Sequence, residues 1–382
     1  MAYAPEALSA NARLRGSFWP SDLQEQLLVV ALAEPKAAAA AWRSLRPTFM
    51  LDELEAGAFD LMPLVYHRLA EALPDEPLLQ RLKGVYRREW VRGSLLVERT
   101  KDVAAVLGAA DIPALFVEGA VLAVRYYPAP GLRTSWFVDV LVERRDTTPA
   151  LAALVAAGWS PPSSDGPPRQ RWALIDPDRT VCVVRTAPAY DFVCVADPHA
   201  ANTPLWQAAE PYHLGGVEVT TLKPTESLLA VCVGGARAQE PPSVTWIVDA
   251  AMILRSASID WTRFVEVGVS RAQARRLRDA LTYLSGLPGV DVPAETLRRL
   301  ASARVTPRER LVHALASGSL KSAGGLPELT ARHLAATAGR SALDAALSFP
   351  AHLRAEWGTP RAWQLLGAIA RRVARRLGAL RA

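Results

Sequence analysis

Apolar residues recur at helical spacing through residues 20–110. At the start of this stretch Leu23, Leu27 and Leu28 supply an inner face, and Ser21 and Gln24 have the spacing of a capping box. The longest helical segment runs over about 76–110 and stops before Asp111-Ile112-Pro113. There the period shortens, and residues 114–117, 136–142, 181–184 and 192–196 read as short buried or half-buried strands. A helix over 148–157, closed by Gly158, falls between the second and third of them. Residues 217–221 read as one more strand, after which Pro224 opens a helical region that continues to the C-terminus. The pattern predicts an α/β protein: a helical region over 1–110, an α/β core over 111–222 and a second helical region over 223–382.

At 382 residues and 50% hydrophobic, the chain is long enough to bury a substantial core and to form two packed regions rather than one. No run reaches the roughly 18 to 20 apolar residues of a membrane span. Met1-Ala2-Tyr3-Ala4-Pro5-Glu6 lacks the basic-then-apolar order of a signal peptide, so a cytoplasmic protein is expected. Cys182, Cys194 and Cys232 are isolated in apolar surroundings and read as buried, reduced thiols. Richness in alanine, arginine, leucine and proline suggests a bacterial source with a GC-rich genome. Part of the net charge of +6 gathers in Arg371, Arg372, Arg375, Arg376 and Arg381, opposite an apolar stripe of Leu366, Ile369, Val373, Leu377 and Leu380. A packed terminal helix with a solvated arginine face is the preferred reading over a surface for nucleic acid, an acidic partner or a membrane.

Several stretches carry a resemblance. Residues 111–142 contain Glu118-Gly119-Ala120, then Pro128, Pro130, Gly131, Leu132 and Arg133, then Phe137-Val138-Asp139-Val140-Leu141-Val142. Upstream lies Leu61-Met62-Pro63-Leu64-Val65-Tyr66; downstream lie residues 222–229, Val231-Cys232-Val233-Gly234-Gly235, residues 246–254 with Trp246 and Asp249, and Ile259-Asp260-Trp261. In this order the chain resembles the uncharacterised bacterial nucleotidyltransferase family over about residues 20–300. The resemblance implies a small mixed-sheet nucleotidyltransferase-like core flanked by helical N-terminal and C-terminal regions, and a metal site on the strand of Asp139.

The positions that carry the family's chemistry differ. Where the family has two aspartates around an apolar residue, this chain has Phe137 and Asp139. Side chains at i and i+2 share a strand face roughly 7 Å apart, so two aspartates there can converge on cations, and Phe137 offers Mg²⁺ no oxygen. Glu143 has the right parity but lies roughly 13 Å away. The family's lysine before the glycine is Glu118, which repels a phosphate that free backbone N–H groups after Gly119 would otherwise attract. A third family aspartate aligns with Cys182 and the histidine after it with Val184. No metal and no cofactor are assigned: the six histidines show no ligand spacing, and no phosphate loop, dinucleotide fingerprint or nucleophile elbow occurs.

Asp139 and Glu118 are therefore read as carboxylates that could share acid and base roles, against the alternative that both are solvated remnants. Arg133 is a candidate anion ligand or a brace for the preceding loop. Gly119, Tyr126, Trp136 and Phe137 complete a candidate ligand site, with core packing as the alternative for the aromatics. Residues 161–169 read as a loop that either gates this site or is an insertion without function. The leading expectation is a divergent nucleotidyltransferase-fold protein that has lost metal-dependent nucleotidyl transfer and reuses its cleft for small-molecule binding or metal-free chemistry, in a setting of bacterial specialised metabolism. Two alternatives stay open: an active Mg²⁺-dependent enzyme rebuilt around Glu118 or Asp165, and a non-catalytic subunit with a protein partner encoded nearby. A small-molecule ligand or substrate is the expected partner, and nucleic acid is not.

Overall fold

The computed structural model describes residues 19–161, 171–186, 205–236, 243–316 and 342–357, with isolated positions over 330–337. The 161–169 loop beyond Pro161, the strand expected at 192–196, Cys194 and the basic C-terminal stripe lie outside these residues.

Helix α1 (Asp22–Leu32) starts at the expected capping box: the Ser21 hydroxyl accepts from the Gln24 amide, and the Gln24 side chain accepts from the Ser21 amide. Helices α2 (Pro35–Leu45), α3 (Ala56–Phe59) and α4 (Met62–Ala72) follow, and then the 31-residue α5 (Leu79–Ala109). The core contains β1 (Ala114–Phe116), α6 (Ala120–Tyr126), β2 (Phe137–Val142), α7 (Thr147–Ala156), β3 (Arg171–Ile175), β4 (Val181–Arg185), β5 (Ala209–Leu214) and β6 (Val217–Leu222). The last described region is helical: α8 (Pro224–Gly235), α9 (Thr245–Ser256), α10 (Trp261–Ser270), α11 (Ala274–Leu284), α12 (Ala294–Ser302), α13 (Pro307–Ala316) and α14 (Ala342–Trp357). No helix among the described residues is long and apolar enough to cross a membrane.

The six strands form one mixed sheet in the order β3-β4-β2-β1-β6-β5. β2 is parallel to β4 and antiparallel to β1, and β1 is parallel to β6. Strand alternation sends the two faces into different cores. Val138, Val140 and Val142 pack with Leu96, Val103 and Leu107 of α5 and with Ala150 and Leu154 of α7. Leu115 and Leu141 join the larger cluster, which runs from Leu27 of α1 to Leu300 of α12. Asp139 has the parity of Leu141 and lies on that second face.

Two strands, β3 and β5, are additions to the sequence expectation. Both are edge strands, which need no continuous apolar run; β5 even carries Pro211, tolerated where the amide need not join a ladder. The Asp176–Arg179 turn of the β3–β4 hairpin is tied to α5, where Arg99 pairs with Asp176 at 2.7 Å and with Asp178.

Several positions of the family pattern are explained by packing. A Cβ on Gly235 would lie 2.0 Å from Cβ of Trp246, so α8 and α9 meet there with no room for a side chain. A Cβ on Gly131 would lie 2.5 Å from Cα of Trp90, which presses the turn before β2 against the backbone of α5. Asp260 caps α10 by accepting from the Arg263 amide. Cys182 and Cys232 are buried and free, and burial pushes both thiols above their ordinary range.

Candidate functional site

The site is built around β2. Asp139 is buried, and its partner is an arginine: Arg185 Nε donates to Asp139 Oδ1 at 2.7 Å, with side-chain exposures of 0% for Asp139 and 12% for Arg185. The register explains the meeting. Asp139 sits beside Val183 in the parallel β2–β4 pair, and Arg185, two residues on, returns to the same face.

The same register turns Cys182, the residue aligned with the third family aspartate, away from Asp139. Cys182 pairs with Val138 and packs with it in the core on the opposite face from Asp139. The β4 residues on the Asp139 face are Val181, Val183 and Arg185. Phe137, half-buried at the start of β2, has the same parity. A magnesium ion is poorly matched by this set: an aromatic ring, an isopropyl group and a carboxylate already bonded to a guanidinium. Among the described residues no three His, Cys, Asp or Glu side chains gather where one metal ion could bind them.

Beyond β1, Gly119 adopts φ 65° and ψ −125°, and a Cβ there would lie 2.7 Å from the Phe137 carbonyl oxygen. Only glycine fits this close approach and this backbone region. Glu118 beside it is half-buried, and its charge acts on Arg133. Arg133 itself spans two motifs 116 residues apart: Nε and Nη2 donate to Asp249 Oδ1 and Oδ2 at 2.7 and 2.8 Å, and Nη1 to the Gly119 carbonyl at 3.4 Å. The Tyr127 hydroxyl donates to Asp249 Oδ1 at 2.6 Å. Burial and then the Asp249 charge push the Tyr127 hydroxyl well above its usual range. For Arg133 burial works against the charge, but Asp249 outweighs it and the net shift is upward. The fork expected to hold a ligand anion is thus spent on a buried strut from the β2 turn to α9. Tyr126 packs into the larger core cluster, the alternative weighed for it on sequence.

Trp136 is different. It is 56% exposed, and Arg92 of α5 lies over its ring at 3.8 Å. Arg92 Nη1 also donates to both oxygens of Glu89, a buried carboxylate on α5, and Arg88 pairs with Glu89 at 2.8 Å. Sequence reading passed over Arg88, Glu89 and Arg92 because they sit in an otherwise ordinary charged stretch of helix.

It also passed over Asp60. Burial, then the Glu89 charge, push its carboxyl up to about 6, against the opposing pull of Arg133 and Arg92. A carboxyl with a raised pKa favours the fold while protonated, so its contribution is full below about pH 4 and is lost as pH rises through about 6. Asp60→Asn is therefore expected to stabilise the protein by about 1–2 kcal/mol at pH 7, with the gain vanishing near pH 4. Urea unfolding of both proteins across that range checks this; a gain independent of pH would contradict it.

These features place the chain among α/β proteins with a nucleotidyltransferase-like fold. The family described as "Uncharacterised nucleotidyltransferase" matches residues 56–288, and the chain belongs to that family. Among solved structures, it is similar to an antigenic nucleotidyltransferase-like protein from Paracoccidioides brasiliensis, at 17% identity and a TM-score of 0.33, over 55% of this chain and 94% of that one. No curated protein matches the chain.

Proposed function

We propose that this protein keeps the family scaffold without metal-dependent nucleotidyl transfer, and uses the cleft beside β2 to bind a small molecule or to act on it through carboxyl acid–base groups. The observation that carries this reading is the Arg185 guanidinium on Asp139. A unit positive charge about 4 Å from a divalent cation opposes it by roughly 8 kcal/mol at an effective dielectric of 20. An ion would therefore have to displace an arginine already bonded to the carboxylate it needs.

The division between kept and altered positions supports the same reading. Gly119, Gly131, Arg133, Gly235, Trp246, Asp249 and Asp260 close helix contacts, cap a helix or join the buried strut. The altered positions Glu118 and Phe137 are those the resemblance assigns to phosphate and metal, and Val183 and Arg185 are what β4 presents on the face of Asp139. For acid–base work, Asp60 joins Glu118 as a candidate, because a carboxyl near pKa 6 exchanges protons at neutral pH. Asp139, buried against Arg185, is better placed to fix that arginine than to meet a substrate.

Isothermal titration with ATP, with and without Mg²⁺, tests the reading. The expected result is no Mg²⁺-dependent gain in affinity; tight binding that requires the metal would overturn it.

A further inference from the structure

We propose that Arg88 and Arg92 form an anion-binding site on the exposed face of α5 beside Trp136, suited to the carboxylate or phosphate of an organic ligand. This goes beyond the reading of Asp139 and does not depend on it.

Both guanidinium groups are held by groups other than a ligand. Glu89, 2% exposed, accepts Arg88 Nε at 2.9 Å and Arg92 Nη1 at 3.1 Å on Oε1, and Arg92 Nη1 also reaches Oε2 at 3.1 Å. Each arginine additionally lies over an aromatic ring, Arg88 at 5.3 Å from the centre of Phe59 and Arg92 at 3.8 Å from that of Trp136. One carboxylate thus orients two guanidinium groups that stay open to solvent, Arg88 at 54% and Arg92 at 33% exposure. Guanidinium donors whose planes are already set lose little side-chain freedom when they take a bidentate oxyanion. Positions 88, 91, 92 and 95 share one helix face, so the exposed Val91 and Leu95 border the pair. Together with the exposed Trp136 they offer an apolar rest for the ligand's carbon skeleton.

Asp60 opposes this site, since its carboxyl and Arg92 feel each other's charge. The remaining charged groups that act on Asp60 are Glu89 and Arg133, and Arg133 is committed to Asp249. The geometry therefore gives two substitutions of opposite sign: Arg92→Gln weakens the anion, and Asp60→Asn strengthens it.

The experiment follows the side-chain Nε–H resonances of ¹⁵N-arginine-labelled protein at pH 7 and constant ionic strength, with phenyl phosphate and benzoate as probes, each without metal. The resonances of Arg88 and Arg92, assigned by single substitution, are expected to shift saturably. A response to phenyl phosphate alone identifies a phosphate site, to benzoate alone a carboxylate site, and to both a site for either; each supports the proposal. Affinity is expected to fall at least about tenfold in Arg92→Gln and in Arg92→Lys, which keeps the charge but loses the fork, and to rise in Asp60→Asn. No saturable shift with either probe, or equal affinity in folded Arg92→Gln protein, would overturn it.

Discussion

Replacing Arg185 with methionine is expected to lower stability by about 3–5 kcal/mol, because it leaves the Asp139 carboxylate buried without its cation. The second half of the expectation is more diagnostic. With Asp139→Leu added, most of the loss should be recovered, since two apolar side chains of similar volume replace a buried pair that contributes little beyond its own desolvation. Chemical denaturation of the wild type, the two single variants and the double variant measures the coupling directly. If Asp139 were instead a vacant metal ligand, Arg185→Met would cost little and Mg²⁺ would stabilise the variant. A mild single variant rescued by Mg²⁺ would therefore count against the proposed role of the pair.

The Arg133–Asp249 strut carries the other large effect. Asp249→Asn removes the countercharge of a fully engaged guanidinium and disturbs the acceptor of the Tyr127 hydroxyl, so a loss of about 3–5 kcal/mol is expected. The strut joins the turn before β2 to α9, and its loss should loosen the start of β2 before the far sheet edge. Hydrogen exchange resolves this: earlier opening is expected at residues 130–140 than in β3 and β4. A change under about 1 kcal/mol would show that water already screens the pair.

Much of the scaffold could be read from the chain. The α1 cap needed only Ser21 and Gln24, β1, β2 and β4 stood out as compact apolar runs, and β6 as a β-branched stretch. The edge strands did not: β5 is broken by polar residues and Pro211, and the apolar run of β3 follows closely on the proline-rich 161–169 stretch. Within the site, strand parity alone put Phe137 and Asp139 on one face. The role of Arg185 was hidden, since it depends on the β2–β4 register, which puts Arg185 on the face of Asp139 and Cys182 on the other. Arg133 and Asp249 were each visible as members of separate motifs, yet nothing local shows that they meet across 116 residues. Likewise Trp136 was legible as an aromatic near the site, whereas its stacking partner Arg92 comes from a helix that precedes the core.

On the proposed reading, an internal arginine takes the place of an active-site metal. Anomalous diffraction from crystals soaked with Mn²⁺ and ATP measures this most directly. The result expected is Arg185 still bonded to Asp139 and no manganese within roughly 2–2.5 Å of that carboxylate. A manganese peak ligated by Asp139 and the triphosphate, with Arg185 swung away, would contradict it.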